Sequence, residues 1–110
     1  MHIPRQHMAP LSSITITRHA EDRLRERAAH IPKERWRKWV YKARYHGTTF
    51  NQMPEDVQAW IGNKFSLGGP NKRGARIYDG YVFLFRGNHA RVFLTLYPLP
   101  DRFSQQKDDA

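Results

Sequence analysis

The chain reads as one α+β domain, with N-terminal helices packed on one face of a C-terminal antiparallel β-meander of three to four strands. Three observations predict it. Between residues 20 and 43 apolar side chains recur at three- and four-residue spacing, the period of a helix with one buried stripe. From residue 75 to 97 the pattern changes to alternation, interrupted at Asp79-Gly80 and Gly87-Asn88, both suited to tight hairpin turns. The 110 residues, 39% of them hydrophobic, are enough for a single modest core.

Residues 1–12 hold two prolines and no periodicity, and read as a flexible arm. Ser13–Thr17 alternates β-branched residues and predicts a short strand. Thr17 is placed to cap a helix over 18–30, with Ala20, Leu24, Ala28 and Ile31 as its buried stripe; Ala20 occupies the position where a capping box needs Glu. Pro32 opens a second helix, 32–46, closed by Gly47, with Trp36, Trp39, Val40 and Ala43 inward. Pro54 followed by Glu55 and Asp56 predicts a short third helix that ends at Gly62. The loop Gly68–Gly74 carries Lys72 and Arg73 but lacks the Gly-Lys-Ser/Thr ending of a phosphate-cradling P-loop. Pro98 and Pro100 end the last strand, so the domain spans 13–98 and a polar tail 99–110.

A two-residue turn at Gly87-Asn88 would pair Arg86 with His89, Leu84 with Arg91 and Val82 with Phe93. One face is then wholly apolar: Tyr81, Phe83, Phe85, Ala90, Val92, Leu94 and Leu96. The other carries Val82, Leu84, Arg86, His89, Arg91, Phe93, Thr95 and Tyr97 and is expected to stay open as a binding surface. A bulge at Asp79-Gly80 is expected, because it places Arg76 and Tyr78 on that polar face and spares Arg76 an unpaired burial.

Charge narrows the functional classes. The net charge is +9, and it is unevenly spread: residues 1–47 hold 11 Lys/Arg against 4 Asp/Glu, and residues 64–91 hold 6 against 1. Positive charge therefore belongs to the helices and the sheet, the footprint of a nucleic-acid binder. Arg37, Tyr41 and Arg44, with Lys33, form a basic stripe with an aromatic in it on the second helix. The chain has no cysteine, which excludes a disulfide scaffold, a thiolate nucleophile and a cysteine zinc site. No His/Asp/Glu cluster has metal spacing, so neither metal nor cofactor is expected. No apolar run is long enough to span a membrane, and Met1–Met8 lacks the apolar core of a signal peptide; a cytoplasmic location without membrane contact is expected.

The segment Ile14–Arg27, with a strand, His19-Ala20, then Arg23 and Arg27 on helical turns, resembles small bacterial domains related to the RelE/ParE-like toxins. It is similar through them to the wider barnase, EndoU and colicin-type ribonuclease fold, and Val92–Tyr97 resembles their last strand. The resemblance implies a RelE/barnase-like sheet and metal-independent RNA cleavage through a 2′,3′-cyclic phosphate. It implies His19 as acid or base, Arg76 or Arg91 as phosphate ligand, and Thr95 and Tyr97 facing the same site. His89 is a further proton-transfer candidate, and Arg23, Arg27, Arg37, Tyr41, Arg44, Lys72, Arg73, Arg86 and His89 would bind the nucleic acid. RNA is then the partner, with tRNA and ribosome-bound mRNA as open alternatives, and a lethal ribonuclease would need an antitoxin or immunity protein. Two alternatives compete: a non-catalytic nucleic-acid-binding module, and an inhibitor that binds a host protein through three tryptophans and an exposed Val82/Leu84/Phe93 cluster.

Overall fold

A computed structural model describes residues 10, 13–65 and 69–103; the expected arm apart from Pro10, residues 66–68 and the end of the expected tail lie outside them. The architecture is α+β. Five strands, Thr15–Ile16 (β1), Thr48–Thr49 (β2), Ala75–Tyr78 (β3), Tyr81–Arg86 (β4) and Val92–Pro98 (β5), form one mixed sheet in the order β1-β5-β4-β3-β2. β1 runs parallel to β5, and the other pairs are antiparallel. The helices are Arg18–Arg27 (α1), Trp36–His46 (α2) and Glu55–Phe65 (α3).

The local signals act as expected at the helix starts. Thr17 accepts from the Ala20 N–H at 3.0 Å, so one of the orphan donors of the first turn is satisfied. Thr17 also donates its hydroxyl to the Phe93 carbonyl at 3.2 Å and thereby ties α1 to β5. Ala20, Leu24 and Ala28 are buried, while Ile31 is half-buried beyond the helix end. Pro32 precedes a single 3-10 turn, Lys33–Arg35, before α2 begins. α3 runs through Gly62 to Phe65, because Ile61 is buried and the turn after it continues against the sheet.

The sheet departs from expectation in three ways. First, the β4–β5 loop is five residues long. Gly87 has φ 87°, a 3-10 turn covers Asn88–Ala90, and pairing resumes at Arg86 with Val92. A bulge beyond Phe93 then shifts the register, so that Val82 pairs with Tyr97 and Leu84 with Thr95. Phe93 therefore joins Phe83, Phe85 and Leu96 in the core beneath α1 and α2, with Ala90 half-buried against it, whereas Val92 and Leu94 do not.

Second, both faces of the sheet are covered. Val82, Leu84 and Ala75 pack under α3 against Val57 and Ile61, with Leu99 and Phe103 closing the far side. The open polar face does not exist in the expected form. The Val82/Leu84/Phe93 hot spot is gone too: these residues are 0%, 8% and 0% exposed. Each such side chain contributes about 1.5–3 kcal/mol by leaving water, which a solvated face would forfeit. Leu99–Phe103, expected to belong to a polar tail, instead return to the domain, with Leu99 and Phe103 buried.

Third, the β3–β4 turn has two residues and no bulge. Tyr78 pairs directly with Tyr81, and Asp79 and Gly80 adopt φ of 52° and 81°. Arg76 thus faces the α2 side, opposite Phe83, and is buried.

Candidate nucleic-acid interface

The expected catalytic residues do not converge. Arg76 pairs with Phe83, itself paired with Leu96, on the α1/α2 face; Thr95 and Tyr97 pair with Leu84 and Val82 on the α3 face. Arg76 and Thr95 also sit two strands apart, about 10 Å at ordinary strand spacing. His19 is exposed on the first turn of α1. Arg27 lies at the other end of that helix, about 12 Å away along its axis. His89 is exposed in the β4–β5 loop, at the opposite end of β5 from Tyr97. Among the described residues no group of three His, Asp or Glu stands close enough to hold a metal ion.

Several expected phosphate ligands are instead committed to the backbone. Arg76 donates Nε–H to the Arg44 carbonyl at 3.1 Å and Nη1–H to the carbonyls of Arg73 and Ala75. Burial, and secondarily the charge of Arg44, lowers its pKa to about 10, so it remains a cation at neutral pH. Arg44 reaches from α2 to the β4–β5 loop and donates to the carbonyls of His89 and Ala90, the latter at 2.8 Å. Those two residues hold left-handed φ of 61° and 51°. Burial also lowers the Arg44 pKa, and nearby Arg91, exposed at the start of β5, adds to the effect. Arg37 donates to the Ile14 carbonyl, next to β1.

Arg23 is paired with Glu26, and Arg25 with Asp22 and Glu21, all within α1 itself. Arg86 is exposed at the end of β4. Lys72 and Arg73 are exposed and line a cavity of ≈ 440 Å³ with Arg76, Thr49, Phe50 and Asn51.

Three expected residues do meet. Arg27 reaches past the edge of β5, which β1 covers only at Val92 and Phe93, and donates to the Leu96 carbonyl at 3.0 Å and Thr95 Oγ1 at 3.3 Å. Its guanidinium lies 3.9 Å from the Tyr97 ring centroid, and Lys64 of α3 brings its ammonium within 4.4 Å of the same ring. Lys64 escaped the sequence reading, because only the packing of α3 on the sheet brings it to Tyr97.

The least expected cations are on α2. Trp36–His46 carries Arg37, Lys38, Lys42 and Arg44 and no carboxylate. Lys38 and Lys42, with Arg35 just before the helix, form the rim of a cleft of ≈ 240 Å³ between α2 and the β3–β4 turn. Ile31, Trp39 and Tyr78 make its wall, and Asp79 stands at the turn. Asp79 accepts from Trp39 Nε1–H at 3.0 Å. His30, also absent from the sequence reading, stacks on Tyr81 with 6.1 Å between centroids and meets Trp39 edge-on. The spacing 35, 38, 42 is itself a helical signal, but the sequence does not show that a turn between two strands folds back to face it.

No family model, curated protein or solved structure matches this chain.

Proposed function

We propose that this protein binds single-stranded nucleic acid through α2 and the basic segments around it. The observation that carries the reading is that α2 has four cations and no carboxylate, while Arg23 and Arg25 of α1 are paired with acids on their own helix. Phosphate-backbone binding needs such uncompensated charge. The Tyr41–Tyr45 ring pair, 4.8 Å between centroids and half-buried on the same helix, adds π-faces among the cations, which suits unpaired bases.

The direct test is anisotropy of a labelled circular single strand, which has no ends, titrated at increasing salt. Each phosphate neutralised contributes about 0.7 to the logarithmic salt slope on single strands, so contacts from the uncommitted Arg35, Lys38 and Lys42 imply a slope of about −2. Binding that is absent at low salt, or insensitive to salt, removes the reading.

A second reading, the metal-independent ribonuclease of RelE/barnase-like fold, draws support from the His19-Ala20…Arg23…Arg27 motif and from Arg27, Lys64, Thr95 and Tyr97 meeting at the edge of β5. Two cations beside two hydroxyls would stabilise a phosphorane. The same mixture prepared with a circular RNA, incubated in excess EDTA with fragment ends mapped, tests it. Fragments ending in 2′,3′-cyclic phosphate that vanish with Thr95→Val or His19→Ala would establish cleavage; an intact strand leaves binding alone.

A further inference from the structure

We propose that the cleft between α2 and the β3–β4 turn is a subsite for one nucleotide that carries a terminal phosphate. The proposal rests on the nucleic-acid reading and names the part of the ligand that this cleft takes.

Arg27, Arg37, Arg44 and Arg76 all give hydrogen bonds to backbone carbonyls. The side chains of Arg35, Lys38 and Lys42 have no hydrogen bond, ion pair or ring contact among the described residues, and all three are exposed. They occupy positions separated by three and four residues, which brings their side chains to one flank of the same helical segment. That flank is also where the surface is concave. Three uncommitted cations around one cavity create a strong local preference for an anion.

The shape and the remaining residues narrow the anion. The cleft, at ≈ 240 Å³, is smaller than the ~300–1,000 Å³ of pockets that enclose drug-sized ligands. It has room for a single nucleotide unit. A terminal phosphate monoester carries up to two charges and three free oxygens, against one charge and two free oxygens for an internal diester, and three cations favour the monoester. The wall of Ile31, Trp39 and Tyr78 supplies apolar and aromatic surface for sugar and base.

Asp79 sets the orientation. One of its oxygens accepts from Trp39 Nε1–H, which holds the carboxylate at the mouth of the turn. Its charge repels phosphate from that end, so the phosphate lies toward Arg35, Lys38 and Lys42 and the nucleoside toward Asp79, where the free oxygen accepts from a hydroxyl or amino group. Asp79→Asn keeps an acceptor for Trp39 and a residue type that tolerates the φ of 52°, and removes only the charge.

The test is calorimetric titration of the intact protein with nucleoside monophosphates, the matching nucleosides and inorganic phosphate. Monophosphates are expected to bind at least about tenfold tighter than nucleosides, since one charge-assisted contact is worth ~1.5–3 kcal/mol and 1.4 kcal/mol is tenfold. The double variant Lys38→Gln/Lys42→Gln is expected to lose that advantage with an unchanged melting temperature, because both side chains are exposed and unpartnered. Asp79→Asn is expected to tighten inorganic phosphate. Monophosphates that bind no better than nucleosides, or a double variant that binds like the wild type, overturn the subsite. Linear strands with a 5′-phosphate, a 3′-phosphate or no phosphate, beside the circular strand, separate the two proposals. If all strands bind equally and monophosphates do not bind, the subsite fails and the nucleic-acid reading stands. If monophosphates bind and no strand does, the cleft is a nucleotide site and the nucleic-acid reading falls.

Discussion

An arginine suited to a phosphate is equally suited to a row of carbonyl oxygens, since a guanidinium offers five donors in a planar fork. At Arg27, Arg37, Arg44 and Arg76 the fold uses that fork on its own backbone. Residue type therefore marked these positions as special but did not distinguish ligand from latch. Arg44→Lys is expected to destabilise the protein by about 1–3 kcal/mol in urea unfolding, because a single ammonium cannot span the His89 and Ala90 carbonyls. Arg76 yields a pH signature. Its folded pKa of about 10 lies below the ordinary arginine value, so between the two the unfolded chain binds more protons and this group's contribution to stability rises with pH. Tyr81 acts in the opposite direction: burial, and then Asp79, raise its pKa above 10.0. The wild type must therefore be compared with Arg76→Met, which retains Tyr81. The stability difference in favour of the wild type should grow as pH passes 10, and a flat difference would contradict the assignment.

Among the elements, helices were legible and strand pairings were not. The stripes Ala20/Leu24/Ala28 and Trp36/Trp39/Val40/Ala43 are buried as their spacing required, because a helix makes its hydrogen bonds within a few residues of itself. Thr17→Ala should cost about 1 kcal/mol, and somewhat more if the bond to the Phe93 carbonyl is lost as well, measured by thermal unfolding. The glycines separate two kinds of ending. A Cβ at Gly62 would meet nothing within 4 Å, and the helix continues through it; Gly62→Ala should stabilise by about 0.8–1 kcal/mol. A Cβ at Gly74 would lie 1.8 Å from the Phe85 carbonyl oxygen, so Gly74→Ala must displace β3 from β4 and should lower the melting temperature sharply. The hairpin register failed because the Gly87-Asn88 signal is local, whereas the five-residue loop is held by Arg44 from another element.

For the whole molecule, the covering of both sheet faces decides where function is available. With α1 and α2 on one side and α3 on the other, the sheet is core, and the accessible cations lie on helix flanks, loops and the strand edge. The salt slope of strand binding is therefore expected to fall by about 0.7 for each of Lys38→Gln and Lys42→Gln, while His19→Ala leaves it nearly unchanged. No helix among the described residues is long and apolar enough to cross a membrane.

The sequence by itself determined the α+β class, the helix positions, the hairpin at Asp79-Gly80 and a strongly basic chain whose charge sits in ordered elements, because periodicity, capping and charge are local properties. Only the tertiary structure decided the parallel pairing of β1 with β5, the register of β4 on β5 and the burial of Arg76. It also decided that α3 covers the face expected to be open, and that Arg35, Lys38 and Lys42 meet Asp79 across a cleft. Each of these depends on contacts between residues far apart in the chain. Period-two alternation shows that a strand has two faces, but which neighbour each face meets is a matter of packing.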